Sequence, residues 1–160
     1  MKLKYLIDED FINYKKPSMF LGFPHCSLKC DKENGKPVCQ NSHLIKAPII
    51  EIHTEEIVDR YLSNRITSAI VCGGMEPFDS WQELKHLVET FRIWTNDDIV
   101  IYTGYMEDEI KNEIEFLSDF KNIYVKFGRF KINDKSRYDE LLGITLASSN
   151  QYAKKISRQQ

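Results

Sequence analysis

Ser68-Ala69-Ile70-Val71-Cys72-Gly73-Gly74 runs from a compact apolar segment into a glycine pair, and the fold class reads outward from it. Residues 68–72 have the length and branching of a buried strand. Ser80-Trp81-Gln82-Glu83 then has the form of a capping box, and Leu84, Leu87, Val88 and Phe91 repeat at helical spacing. Residues 98–102 (DIVIY) predict the next strand, Ile110, Ile114 and Leu117 a second helical face, and residues 122–126 (NIYVK) a third strand. Upstream, residues 18–23 (SMFLGF) predict a strand leading into a cysteine-bearing loop. Residues 55–62 predict a helix with Ile57, Val58, Tyr61 and Leu62 inward, and residues 31–47, with Gly35, Pro37 and Asn41 among charges, predict a loop. After Ser136 an apolar run at residues 141–146, a polar Ser148-Ser149-Asn150 and a basic tail carry no assignable periodicity.

Strands alternating with helices across short connections predict an α/β fold built of parallel βα units with right-handed crossovers. A complete eight-unit barrel takes about 250 residues. The 160 residues here predict one domain, 1–160, forming a partial (β/α) barrel of about five or six parallel βα units, open on one side. Its functional face would lie at the carboxyl ends of the strands.

Composition narrows the class. Hydrophobic residues make up 42% and charged residues 29%, ordinary for a globular chain, and 22 basic against 24 acidic residues leave a net charge of −2. That balance gives no electrostatic drive toward nucleic acid or an anionic membrane. No apolar run reaches the ~18 residues of a membrane span, and the N-terminal residues lack a signal-peptide core, so the expectation is a cytoplasmic protein with no nucleic-acid or membrane partner.

In a reducing compartment clustered thiols point to metal before disulfide. Cys26, Cys30 and Cys39 lie in one loop after the first long strand. Their spacing leaves three readings open: three thiolates on an iron–sulfur cluster with one iron uncapped, zinc held with His25 or His43, or unligated thiols. Cys72 ends an apolar strand and reads as a core residue. Gly73-Gly74 allows close approach of a ligand to the backbone, Glu76 could accept from an ammonium, and Thr103 and Tyr105 follow the next strand; taken alone, the glycine pair reads first as a strand-to-helix turn and the others are no more specific. The acidic Glu107–Glu109 opens a helix, where negative charge is favourable and needs no functional account. The basic tail residues Lys154, Lys155 and Arg158 read as solvated.

Taken together, the three-cysteine loop, Cys72-Gly73-Gly74-Met75-Glu76-Pro77, Thr103-Gly104-Tyr105, Gly128-Arg129-Phe130 and Ser148-Ser149-Asn150-Gln151 resemble the radical S-adenosylmethionine enzymes. Among these the chain is most similar to the activating proteins of anaerobic ribonucleoside-triphosphate reductase, from about Phe11 to Ile156. It departs from them at three points. The Cys30–Cys39 spacing is x8 where relatives have x2, Met75 separates Gly74 from Glu76, and Phe127 stands where relatives tend to have aspartate. The resemblance implies that Cys26, Cys30 and Cys39 hold a 4Fe–4S cluster with one open iron, which S-adenosylmethionine chelates. It places Gln40, Gly73, Gly74, Glu76, Thr103 and Tyr105 at the cofactor. A flavodoxin or ferredoxin would supply the electron. The resulting radical would take hydrogen from a glycine of the large subunit of anaerobic ribonucleotide reductase, or of another glycyl radical enzyme. A zinc-stabilised binding module without catalysis is the alternative of a different class.

Overall fold

The computed structural model describes residues 1–158. In chain order, β1 (Lys2–Leu3) and β2 (Tyr5–Asp10) lead through a loop to β3 (Ser18–Phe23). A short helix α1 (Lys29–Asn34), a 3-10 turn (Ser42–Ile45), β4 (Ile50–Glu51) and helix α2 (Thr54–Ser63) follow. Next come β5 (Ala69–Gly74), α3 (Trp81–Trp94), β6 (Asp98–Tyr102), α4 (Lys111–Ser118) and β7 (Ile123–Phe127). The last strands are β8 (Arg137–Asp139), β9 (Ile144–Leu146) and β10 (Tyr152–Lys155).

Six strands form one mixed sheet in the order β10-β7-β6-β5-β3-β2. Its centre, β3-β5-β6-β7, is parallel, and β2 and β10 flank it antiparallel. Thus the fold is mixed α/β, with four parallel strands where about five or six parallel units were expected. The loop of residues 11–17 between β2 and β3 is shorter than the ~12 residues a parallel crossover needs, so β2 can only return antiparallel. No pairing joins β10 to β2 among the described residues.

Alternation along the strands sends successive side chains to opposite faces. Met19, Leu21, Ile70, Cys72, Ile99, Ile101, Ile123 and Val125 meet the helices on one face, where Ile57, Leu84, Leu87, Phe91 and Leu117 complete the main core. Phe20, Ala69, Val71 and Val100 face the other way, under Tyr14 of the β2–β3 loop and Leu142 and Leu146 of the β8–β9 hairpin. Both faces of the parallel strands are therefore covered, which is why they read as continuous apolar runs. The Tyr61 and Phe91 rings, 4.8 Å apart and edge to face, lock α2 to α3.

Several local expectations change. Ser80 stands at the N-cap of α3 but makes no cap hydrogen bond, and its hydroxyl is buried without a partner. Glu83 instead accepts from the Lys2 backbone N–H at 2.8 Å, so the expected capping box is exchanged for a long-range tie. Leu62 is 44% exposed rather than inward, because Ile57, Val58 and Tyr61 already fill the buried stripe of α2. The expected loop at residues 31–47 contains most of α1 and the 3-10 turn. The basic tail is exposed, as expected, and adds surface pairs: Lys154 meets Glu107 at 2.6 Å, Lys155 Nζ donates to Asn122 at 2.9 Å, and Arg158 meets Asp119 at 2.9 Å. No helix among the described residues is long and apolar enough to cross a membrane.

Candidate functional site

The carboxyl ends of the four parallel strands open into one cavity of about 440 Å³. Cys26, Cys30 and Cys39 all line it, with Gln40 and Asn41 from the same excursion, Gly74 at the end of β5 and Glu76 just past it, Thr103 and Gly104 beyond β6, and Lys126 from β7. Residues dispersed over a hundred positions thus meet at the end of the sheet where parallel α/β folds place their ligands.

Each cysteine is set by a separate restraint. Cys26 follows β3, and the next backbone N–H, of Ser27, donates to Asp79 Oδ2 at 2.6 Å. The Tyr105 hydroxyl donates to Asp79 Oδ1 at 2.5 Å. Leu28, in the left-handed region at φ 54°, turns its N–H onto Cys26 Sγ at 3.3 Å. Cys30 rides on α1, whose Asn34 amide donates to the Cys30 carbonyl at 2.7 Å and the Phe130 carbonyl at 3.3 Å. Arg129 holds the same helix electrostatically. It donates to both Glu109 oxygens, at 2.5 and 2.8 Å, and its Nε lies 3.2 Å from Glu33; Glu109 also meets Lys29 at 3.2 Å. Cys39 returns after the long excursion with its N–H donating to Asp31 Oδ1 at 2.8 Å, beside the Val38 N–H at the same distance. Burial pushes the Cys26 thiol up to about 11 and raises Cys39 as well, against backbone N–H groups that favour their thiolates.

Glu76 is 6% exposed and locks two strand ends together. Its Oε1 accepts from Thr103 Oγ1 at 2.8 Å and Phe78 N at 3.1 Å, and its Oε2 from Gly104 N at 2.8 Å. Burial raises its pKa to about 7, the three donors working the other way. Its carboxylate is thus committed to protein donors, although it lines the cavity. Lys126, 9% exposed, donates only to the Thr103 and Gly128 carbonyls, at 3.4 and 3.2 Å, and makes no ion pair among the described residues. Burial lowers its pKa to about 8. The Gly74 carbonyl accepts from the Asn41 amide at 2.6 Å. Gly74 has φ +81°, and a Cβ there would stand 2.7 Å from Gly22 Cα, so only glycine fits this crossing of β3 and β5.

Gly73 and Tyr105 do not line the cavity. Gly73 lies behind the Phe20 ring, itself part of the cavity wall, and a Cβ there would meet that ring at 2.8 Å. The Tyr105 ring lies under Lys29, whose Nζ is 4.2 Å from its centroid, and closes a small recess behind Cys26 and Cys30. Cys72 is fully buried in the core and its thiol is raised strongly by burial. The imidazoles of His25 and His43 are in exposed residues; His25 contributes its backbone carbonyl, which accepts from Glu76 N at 2.7 Å. The C-terminal signature is a splint. Gln151 accepts from Ala147 N at 3.0 Å and Ser148 N at 3.2 Å and donates to the Gly128 carbonyl at 3.2 Å, while the Asn150 amide donates to the Arg129 carbonyl at 2.9 Å.

The sequence suggested no site role for Asp31, Asp79, Lys126 or Glu109, and named Arg129 only as part of Gly128-Arg129-Phe130. Only Asp31, beside Cys30, carried a local cue. Lys126 ended an alternating strand pattern that reads as pointing to solvent, and Glu109 had a sufficient account as a helix-opening acid.

Soft thiolates on one concave wall, with an N–H···S bond and carboxylate-clamped backbone around them, are the donor chemistry of an iron–sulfur protein. Among the described residues no three His, Cys, Asp or Glu side chains are grouped as ligands of a single metal ion. A cluster makes a different demand, since each cysteine binds its own iron and the sulfurs stand apart. The chain belongs to the 4Fe-4S single cluster domain family, whose model matches residues 18–153. No curated protein and no solved structure matches it.

Proposed function

We propose that the protein is an activating enzyme of the radical S-adenosylmethionine class, acting on a glycine-bearing partner such as the large subunit of anaerobic ribonucleotide reductase. The observation that carries this reading is that Cys26, Cys30, Cys39, Gly74 and the buried Lys126, bonded only to carbonyl oxygens, border one cavity. Its volume of about 440 Å³ suits a small cofactor. Cys26, Cys30 and Cys39 would hold a 4Fe–4S cluster, leaving one iron without a protein ligand. Held there, a reduced cluster would supply the single electron for reductive cleavage of the S-adenosylmethionine sulfonium, the chemistry by which a glycyl radical would be raised on the partner.

The chain's own residues bind, orient and exclude. A methionyl group is a zwitterion, and the cavity offers both complements. The Gly74 carbonyl accepts an N–H donor, here the Asn41 amide, and Lys126 has an ammonium N–H beyond its two carbonyl acceptors. Glu76 keeps these walls in register by joining the ends of β5 and β6. Gln40, exposed at the rim, and Thr103, at the floor, complete the lining. A flavodoxin or ferredoxin would deliver the electron.

The test is anaerobic reconstitution with iron and sulfide, then EPR of the reduced protein with and without S-adenosylmethionine. A reduced-cluster signal that changes on addition of the cofactor, with release of 5′-deoxyadenosine, is the expected result. A cluster signal indifferent to S-adenosylmethionine would leave an electron-transfer protein, and a colourless protein with stoichiometric zinc would overturn the reading altogether.

A further inference from the structure

Cys39 cannot be placed by the helix that carries Cys30. The helix stops at Asn34, Gly35 takes φ +66°, and Lys36 and Pro37 are exposed before the chain returns to the cavity. An excursion of this kind has many conformations, and a ligand at its end needs a restraint to hold it at a defined place. The structure contains one. Asp31, adjacent to Cys30, turns a single carboxylate oxygen toward both the Val38 and the Cys39 N–H, each at 2.8 Å. The two cysteines are thereby joined through one side chain, and the intervening residues are closed into a loop. Two residues further on, Asn41 pins the same arm to Gly74.

We propose that Asp31 is the positioning residue for the third cluster ligand, holding Cys39 in binding geometry by gripping the backbone N–H groups of residues 38 and 39. The role needs an acceptor, not a charge. It rests on Cys39 being a ligand, part of the reading above.

The experiment uses the full chain, reconstituted anaerobically, and measures iron loss to a chelator together with alkylation of each cysteine by mass spectrometry. Asp31→Ala is expected to release iron about 10-fold faster or more, the scale at which outer-sphere partners act, with Cys39 the thiol that becomes alkylated first. Asp31→Asn keeps the acceptor and is expected to match the parent in both readouts. Val38→Pro removes one of the two donors while leaving the carboxylate untouched, and is expected to speed iron loss by a smaller factor. It decides the matter if Asp31→Ala does not fold. Parental iron retention in Asp31→Ala, or in Val38→Pro where that variant is the one that folds, would overturn the proposal, as would an Asp31→Asn no better than Asp31→Ala. Cys39→Ala is run alongside: a full, stable cluster in that variant would sink the ligand assignment itself, a different failure from an Asp31 that merely does not matter.

Discussion

Glu76 shows how a single buried carboxyl couples this site to pH. Its pKa is raised by burial from 4.5 to about 7, so between these values the folded chain holds a proton that the unfolded chain has released. Stability is therefore greatest at the acid side of this window and falls as pH rises through it, by roughly 3 kcal/mol across the window if the shift is fully expressed. Glu76→Gln is expected to abolish that slope in urea titrations between pH 5 and pH 7. The variant would also be less stable at the acid end, because one amide face would oppose the Gly104 N–H. The cysteines divide sharply at the same scale. Cys26→Ala, Cys30→Ala and Cys39→Ala are each expected to lose the 4Fe–4S cluster, read as loss of visible absorption and iron. Cys72→Ala is expected to keep the cluster and lose about 1–2 kcal/mol of stability, since its sulfur packs in the core and lines no cavity.

At the scale of elements, β10 is the instructive case. It is short and polar and pairs antiparallel with β7, so no periodicity announces it. What places it is Gln151, buried and bonded to Ala147, Ser148 and Gly128. Gln151→Ala leaves those groups unsatisfied, and the expected cost is about 2–4 kcal/mol in denaturant unfolding, with loosening of residues 128–130 measurable by hydrogen exchange. Strands β3 and β6, by contrast, coincide with the segments read from sequence, and β5 and β7 lie within two residues of theirs. Their apolar runs, β-branched in β5, β6 and β7, carry their own signal because both faces are covered. The capping serine of α3 shows the opposite: the local pattern was sound, but Lys2, remote in sequence, took the glutamate.

Across the whole molecule, the site is a coincidence of distant parts. The cysteine loop, the β5 and β6 ends, Lys126 and the C-terminal splint come from all along the chain and meet at one end of the sheet. Because the unfolded chain cannot present that arrangement, cluster binding stabilises the native state by mass action. Thermal unfolding of the cluster-loaded protein is expected to have a higher midpoint than that of the apoprotein, and to revert on chelation; an unchanged midpoint would mean that the thiols hold the cluster without being organised by the fold.

The three cysteines, the glycine pair that ends β5 and the alternation of strands with helices were all legible in one dimension, because periodicity, glycine and clustered thiols act over a few residues. The number of parallel strands, the antiparallel edges, the commitment of Glu76 to protein donors, the unpaired Lys126 and the Asp31 clamp were not. Each of these depends on which groups from remote segments arrive beside it, and burial, hydrogen-bond competition and charge compensation exist only once the chain has brought those groups together.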